Sequence, residues 1–133
     1  LVVRTICGLR PGIPGVSDNI VVRSVVGRFL EHTRVYYFYA KGEELLYCAS
    51  ADLMRRNLHR RVEAAFPIED PILKARVLEE GLWIYLRDNR QSWSLGSDGH
   101  YSLYRPEGEP PCTAQSELLS LLSQKMLAEP VSK

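Results

Sequence analysis

The sequence predicts an α/β fold: a mixed β-sheet flanked by helices, with a small hairpin and a terminal helix. Three observations predict it. Apolar, β-branched segments crowd residues 1–66 and are separated by Gly- and Pro-bearing turns. A helix signature opens at Asp70-Pro71. A second pair of alternating segments brackets Asp98-Gly99, and a last apolar-periodic stretch follows Thr113.

The elements follow in chain order. Residues 1–6, Leu-Val-Val-Arg-Thr-Ile, are apolar and β-branched, as a buried strand requires. Residues 8–19 hold three Gly and two Pro and read as a loop. A second strand is expected over 20–26 and a short helical turn over 28–31. Residues 33–39 and 45–49 are strands joined by the turn-like Lys-Gly-Glu-Glu, so they form a hairpin. A tight irregular or helical turn is expected at 53–57, then a strand over 61–66 ended by Pro67. Asp70 suits an N-cap and Pro71 the first helical position. Ala75, Leu78, Leu82 and Tyr85 then recur on one face, through about Arg87. Trp93 and Leu95 alternate with polar neighbours, as do Tyr101 and Leu103, which makes a hairpin across Asp98-Gly99. Residues 105–112 are a linker. Thr113 can cap a last helix whose Leu119, Leu122 and Met126 share one face.

The chain has 133 residues, enough for one compact domain over 1–128 with a fraying tail at 129–133. With 45% hydrophobic and 25% charged residues it is no disordered tail, coiled coil or collagen-like segment. No apolar run approaches the length of a membrane span. The start shows neither an initiator Met nor a signal-peptide pattern and reads as a strand entered abruptly, so a piece of a longer chain is expected. Three Cys (Cys7, Cys48, Cys112) form an odd, sparse set without metal-type spacing, which favours a reducing compartment over a disulfide framework.

Charge is unevenly spread. Residues 1–65 carry ten basic and six acidic side chains, and residues 66–133 carry seven and ten. The net charge of +1 therefore conceals a basic half and an acidic half. Thirteen of the seventeen basic residues are Arg, nine of them before residue 62. Arg grips oxyanions through two parallel N–H bonds, so an Arg-rich half points to an anionic ligand.

Three clusters in that half could carry chemistry. The first joins Arg4, at the end of a strand, to a Gly/Pro loop bearing Arg10. Such a loop can offer amides and guanidinium groups to phosphate, or be a plain surface crossover. The second places His32 just ahead of an apolar strand, beside Arg34. An imidazole at a strand mouth can act as acid, base, nucleophile or phosphate donor, or simply bond a backbone carbonyl. The third runs from Ser50 through Asp52 to Asn57, with Arg61 and Glu63 following. It suits close approach to a ligand, and equally a turn held by Asp52 capping and surface ion pairs. His59 and His100 lack a partner pattern and read as structural or solvent-exposed. Tyr36, Tyr37, Phe38 and Tyr39 read as sheet core and sheet face. There is no P-loop, no Rossmann glycine pattern and no Cys/His metal set.

In order, these clusters resemble one family. The stretch R-T-I-C-G-L-R-P-G-I-P-G-V-S-D-N-I-V-V-R-S-V-V-G-R-F-L-E-H-T-R-V-Y-Y-F is similar to the last catalytic domain of bacterial polyphosphate kinase. So is Y-C-A-S-A-D-L-M-R-R-N-L-H-R-R-V-E-A-A-F-P-I-E-D-P. The similarity runs from about residue 1 to 90 and weakens through the second hairpin. It implies a phospholipase D-like half-domain, in which each of two halves supplies a His and a small Ser/Asn-type turn. His32 is then the second half's His, and residues 50–57 its turn. Arg4 and His32 match positions that contact the ATP phosphates, with Arg10, Arg34, Ser50, Asp52, Asn57, Arg61 and Glu63 as possible support.

The resemblance further implies an ATP–polyphosphate phosphotransferase working through a phosphohistidine. That histidine, the adenine contacts and the Mg²⁺ contacts belong to a preceding domain absent here, so this chain alone is expected to be inactive. ATP, ADP and polyphosphate are the expected ligands, the preceding domain the partner, and a homo-oligomer the working form. Nucleic acid is not an expected partner. The expected location is the cytoplasm, at most peripheral to the inner membrane. Some positions depart from the pattern. Arg34 replaces the superfamily Lys, and Tyr39 stands where an Asp would be. Gly8 follows Cys7 where two Cys are common, and Leu53 stands where an aromatic is common. A phosphodiesterase half-domain and a non-catalytic polyanion-binding module are the alternatives.

Overall fold

A computed structural model describes residues 1–4 and 6–128, the last three by backbone alone. Thr5, inside the expected first strand, lies outside the described residues, as do the tail 129–133 and the Met126 side chain. The chain forms two compact units: Leu1–Leu30 with the chain from Ile84 onward, and Glu31–Trp83.

The first unit holds a mixed four-stranded sheet in the order β1-β2-β6-β7. Its strands are β1 (Val2–Val3), β2 (Arg23–Val25), β6 (Ser92–Leu95) and β7 (Tyr101–Leu103). β1 runs parallel to β2, with Val2 opposite Arg23. β2 and β6 are antiparallel, with Ser24 opposite Trp93. Helices α3 (Ile84–Arg87) and α4 (Ala114–Ala128) complete the unit. Val25, Ile84, Tyr85 and Ala114 form its buried core, with Val2 and Leu118 packed against them. Asp88, fully buried, ties the joints together. One carboxylate oxygen accepts from the amides of Arg90 (3.0 Å) and Gln91 (2.7 Å), and the other from that of Ala114 (2.9 Å), the first residue of α4. These amides have no partner within a regular element, and a buried carboxylate satisfies them as an N-cap does.

The second unit holds a three-stranded antiparallel sheet, β3-β4-β5. The strands are β3 (Val35–Ala40), β4 (Glu43–Ala49) and β5 (Ala65–Pro67). The β3–β4 hairpin turns on Lys41 (φ 54°) and Gly42 (φ 86°). Two successive positive φ values make the two-residue turn whose twist matches the strands. Between β4 and β5 lies the short helix α1 (Arg55–Arg60). Helix α2 (Pro71–Leu78) starts as expected: the Asp70 side chain accepts from the amides of Ile72 and Leu73, and Pro71 opens the helix. A π-helical segment, Glu79–Trp83, follows.

Several expectations are corrected. The first half does not build one mixed sheet. Residues 33–67 close their own antiparallel sheet, while β1 and β2 are completed by the distant hairpin β6–β7. Residues 28–31 form no helical turn: 28 and 29 are a bend and the two that follow are irregular. There the Phe29 amide donates to the Gln115 side-chain oxygen and the Gln115 amide group donates to the Phe29 carbonyl, both at 2.9 Å, so a side chain takes the bonds a helix would use. The irregular or helical turn expected at 53–57 is a short helix that starts two residues later, at Arg55, and runs to Arg60. The strand expected over 61–66 is shorter, Ala65–Pro67; it ends at Pro67, which pairs with Tyr47 on an edge strand where no inward amide is needed. On α4, Leu118 faces the core, whereas Leu119 and Leu122 are exposed. Phe38 and Tyr39 stand exposed at the end of β3 and are not sheet core. The four-residue face on 75–85 also breaks. Leu78 and Tyr85 are buried, Ala75 is exposed, and the wider π turn between them rotates the face.

Candidate functional site

The second unit gathers most of the predicted residues. Arg34 is the centre. Its Nε donates to Asp52 Oδ1 at 2.8 Å, and its Nη1 donates to the His32 carbonyl at 3.0 Å. One guanidinium thus joins the entry of β3 to the loop after β4. The Arg34 bond holds the Asp52 carboxyl below the usual carboxylate range, with Arg56 and His32 adding weaker attraction, and raises the Arg34 pKa in turn. The pair is partly exposed, 23% for Arg34 and 49% for Asp52. Such pairs contribute about 1 kcal/mol at most, so its effect is chiefly orientation. The His32 imidazole is exposed.

The Ser50–Asn57 turn is held from two sides. Ser50 Oγ donates to Glu63 Oε2 at 2.5 Å and accepts from the Ala64 amide at 3.0 Å. Glu63 also lies within electrostatic reach of Arg34. Asn57, 3% exposed, anchors α1 from below, donating from Nδ2 to the Asp52 carbonyl at 3.2 Å. Its Oδ1 is buried with no partner among the described residues. His32, Arg34, Asp52, Ser50, Glu63 and Asn57 are therefore brought into one neighbourhood. Arg61 is exposed just past α1.

Arg4 and Arg10 belong to the first unit. Arg4 is half-buried just after β1. Arg10 reaches across its own unit, donating from Nε and Nη2 to the Ser97 carbonyl at 3.1 and 2.6 Å. It therefore clamps the 8–19 loop to the β6–β7 turn.

The sequence placed Arg55, Arg56 and Arg60 in the 50–63 cluster but did not separate the outer face of α1 as a surface of its own. Arg55, Arg56, His59 and Arg60 line one open concavity of about 500 Å³. The helix has no acidic residue in its first turn and no side-chain cap at Met54. Arg56 and Arg60, four apart, repel by a few tenths of a kcal/mol. The available signal was the density of cations in 55–61 without an acid, which reads equally as a solvated face. Among the described residues no three His, Cys, Asp or Glu side chains are grouped to hold a metal ion. No helix among them is long and apolar enough to cross a membrane.

Comparison with known proteins agrees with the resemblance. Residues 1–115 match the family model described as polyphosphate kinase C-terminal domain 2. The chain is 57% identical over 120 residues to a polyphosphate kinase of Burkholderia lata, covering 90% of this chain and 17% of that protein. It is 55% identical over 119 residues to one from Paraburkholderia phytofirmans, with the same coverage. Among solved structures it is similar to polyphosphate kinase from Porphyromonas gingivalis, with a TM-score of 0.83 at 35% identity over 93% of this chain and 19% of the other. The chain thus spans about a sixth of the length of the curated relatives it matches. With a family model covering most of its length and relatives above half identity, the chain belongs to the polyphosphate kinase C-terminal domain 2 family.

Proposed function

We propose that this chain acts as the C-terminal catalytic domain of an ATP–polyphosphate phosphotransferase, moving the terminal phosphate of ATP reversibly onto polyphosphate. The observation that carries the reading is the family match over residues 1–115. In it, residues 1–128 work as one domain of a longer chain, a phospholipase D-like half whose phosphohistidine comes from a preceding domain. The chain alone is then inactive, and the whole protein is a cytoplasmic oligomer, at most peripheral to the inner membrane.

Phosphoryl transfer needs positioning and charge stabilisation more than covalent help. Arg4 and His32 are the phosphate contacts in this proposal. Arg4 offers fixed charge and two parallel donors. His32 donates to a phosphate oxygen or moves a proton at it as the partner His reacts. Arg34 supports that role by holding the His32 backbone to Asp52, which leaves the imidazole facing outward. Ser50, Glu63 and Asn57 fix the adjoining turn, Arg61 adds charge, and Arg10 holds its own loop. Following the resemblance, Mg²⁺ is assigned to residues outside this chain, and no step here runs through it.

The test is His32→Ala in the full-length protein. Polyphosphate synthesis should be abolished while the melting temperature stays within about 2 °C, since an exposed side chain carries little stability. Synthesis at the normal rate would show the assignment of His32 to be wrong.

A further inference from the structure

We propose that the outer face of α1, formed by Arg55, Arg56, His59 and Arg60, is a second anion-binding surface that holds the chain of an inorganic polyphosphate beyond its reacting end. This rests on the functional reading above, and it adds a site which that reading does not contain.

The argument starts from helix geometry. Positions 55, 56, 59 and 60 fall on one side of a helical turn, and all four side chains are exposed around a single concavity. The opposite side carries the buried Asn57, which fixes the helix to the loop beneath. No carboxylate pairs with any of the four among the described residues. Two other arginines of the same unit do have such partners: Arg34 has Asp52, and Arg76 has Glu80 at 2.9 Å. Like charges set four residues apart weaken a short helix. A face that concentrates cations at that cost, with no acid to neutralise them, is matched to an anion from outside.

The shape selects the kind of anion. The concavity is open, and the residues that line it follow one another along the helix: Arg55, Arg56, His59 and Arg60. That suits an extended ligand with repeating charge better than a single phosphate. Guanidinium groups meet tetrahedral oxyanions with two N–H bonds each. No aromatic side chain lines the concavity, so it lacks the stacking platform that single-stranded nucleic acid uses. Continuity with the site is also present, because Arg56 lies within electrostatic reach of Asp52. A strand of phosphates leaving the neighbourhood of His32 and Asp52 would meet Arg56 first and then run along α1.

The experiment measures binding without ATP in the full-length protein. Fluorescently labelled long-chain polyphosphate and tripolyphosphate are titrated over a range of salt concentrations. For Arg55→Ser with Arg60→Ser, affinity for the long chain should fall about tenfold or more, and the log–log salt slope by about two, because two ionic contacts release fewer counterions. Tripolyphosphate affinity should change less than about twofold, since it is too short to reach from the site along the helix. Arg55→Lys with Arg60→Lys should restore the slope. The melting temperature of the serine variant should change little, because the Arg56–Arg60 repulsion removed and the helix propensity lost are both small. Should it lose its melting transition, Arg60→Gln alone should lower the slope by about one. Unchanged long-chain affinity would overturn the proposal. So would a parallel loss for both ligands, which would merge this face with the reacting site. Displacement of the polyphosphate by a single-stranded oligonucleotide at equal charge would assign the face to nucleic acid instead. The slopes require no turnover, so failure here is distinguishable from failure of the transfer reaction in the His32 test.

Discussion

Arg34 and Asp52 meet at 2.8 Å, and the same guanidinium holds the His32 carbonyl at 3.0 Å. The ion pair couples two loops that leave neighbouring strands: Ala49 at the end of β4 donates its amide to the Arg34 carbonyl at 3.0 Å. An Arg suits this better than a Lys because its planar fork serves two acceptors at once.

Replacing Arg34 by Ala should therefore raise the Asp52 pKa toward its ordinary value, as read by carboxyl NMR titration. The sign of the stability effect follows. A carboxyl depressed in the folded state stabilises above its unfolded pKa, and the contribution is lost as the pH falls through the folded value. The difference in stability between wild type and Arg34→Ala should be small at pH 7 and should shrink further in acid. An Asp52 titration unmoved by the substitution would refute the coupling.

Asp88 carries much more. Asp88→Ala strands three amides in and around the core of the first unit, and each unmet buried donor costs on the order of 1–3 kcal/mol. A loss of at least about 3 kcal/mol is expected in denaturant unfolding. Asp88→Asn, which keeps one carbonyl oxygen, should lose less. Equal losses would mean that the bonds to Oδ1 and Oδ2 are not the cause.

Gly81 lies where the π-helical segment passes the start of β3. A Cβ there would come 3.1 Å from Val35 Cγ2 and 3.4 Å from Thr33 Cγ2. Gly81→Ala gains about 1 kcal/mol of helix propensity and loses a comparable amount to crowding, so its melting temperature should stay near wild type. Gly81→Val brings two further carbons into the same gap and should destabilise by about 1–3 kcal/mol. A neutral valine variant would show that the approach is not tight.

Burial, aided by Glu117, pushes the Cys112 thiol up to about 12, and burial also raises Cys48. The thiolate is the reactive form. At pH 8 both should alkylate with iodoacetamide at least about tenfold more slowly in the folded protein than in urea, followed by mass spectrometry. Equal rates would contradict the burial.

Local chemistry was legible in the sequence, and long-range pairing was not. The Asp70-Pro71 helix start, the Lys41-Gly42 turn and the 8–19 loop depend on residues a few positions apart. The choice of sheet does not. Nothing near Ser24 says that it will face Trp93, nearly seventy residues later, so the strands were assigned to one sheet instead of two. On α4 a shift of one position, from Leu118 to Leu119, separates the packed side from the exposed one, and either choice keeps a helical period. Around the site, Arg34, Asp52, Ser50 and Glu63 were named from type and order. Their hydrogen bonds required the fold. The exposed cations of α1 were hidden because a solvated basic face and a binding face have the same composition. Asp88 was missed because an Asp in a short link is unremarkable until its partners, two of them adjacent and one at position 114, are known.

The two units differ in how the chain is threaded through them. Residues 31–83 are uninterrupted, so every strand and helix of that unit has been synthesised before residue 84 is added. The other unit is split. Val25 must wait for Ile84, Tyr85 and finally Ala114 before its core can close. The first thirty residues are therefore made early and wait longest for their partners, with one edge of β2 open until β6 arrives. Assembly from the middle outward follows, and the nascent β1–β2 stretch is the part of this chain with most need of a chaperone.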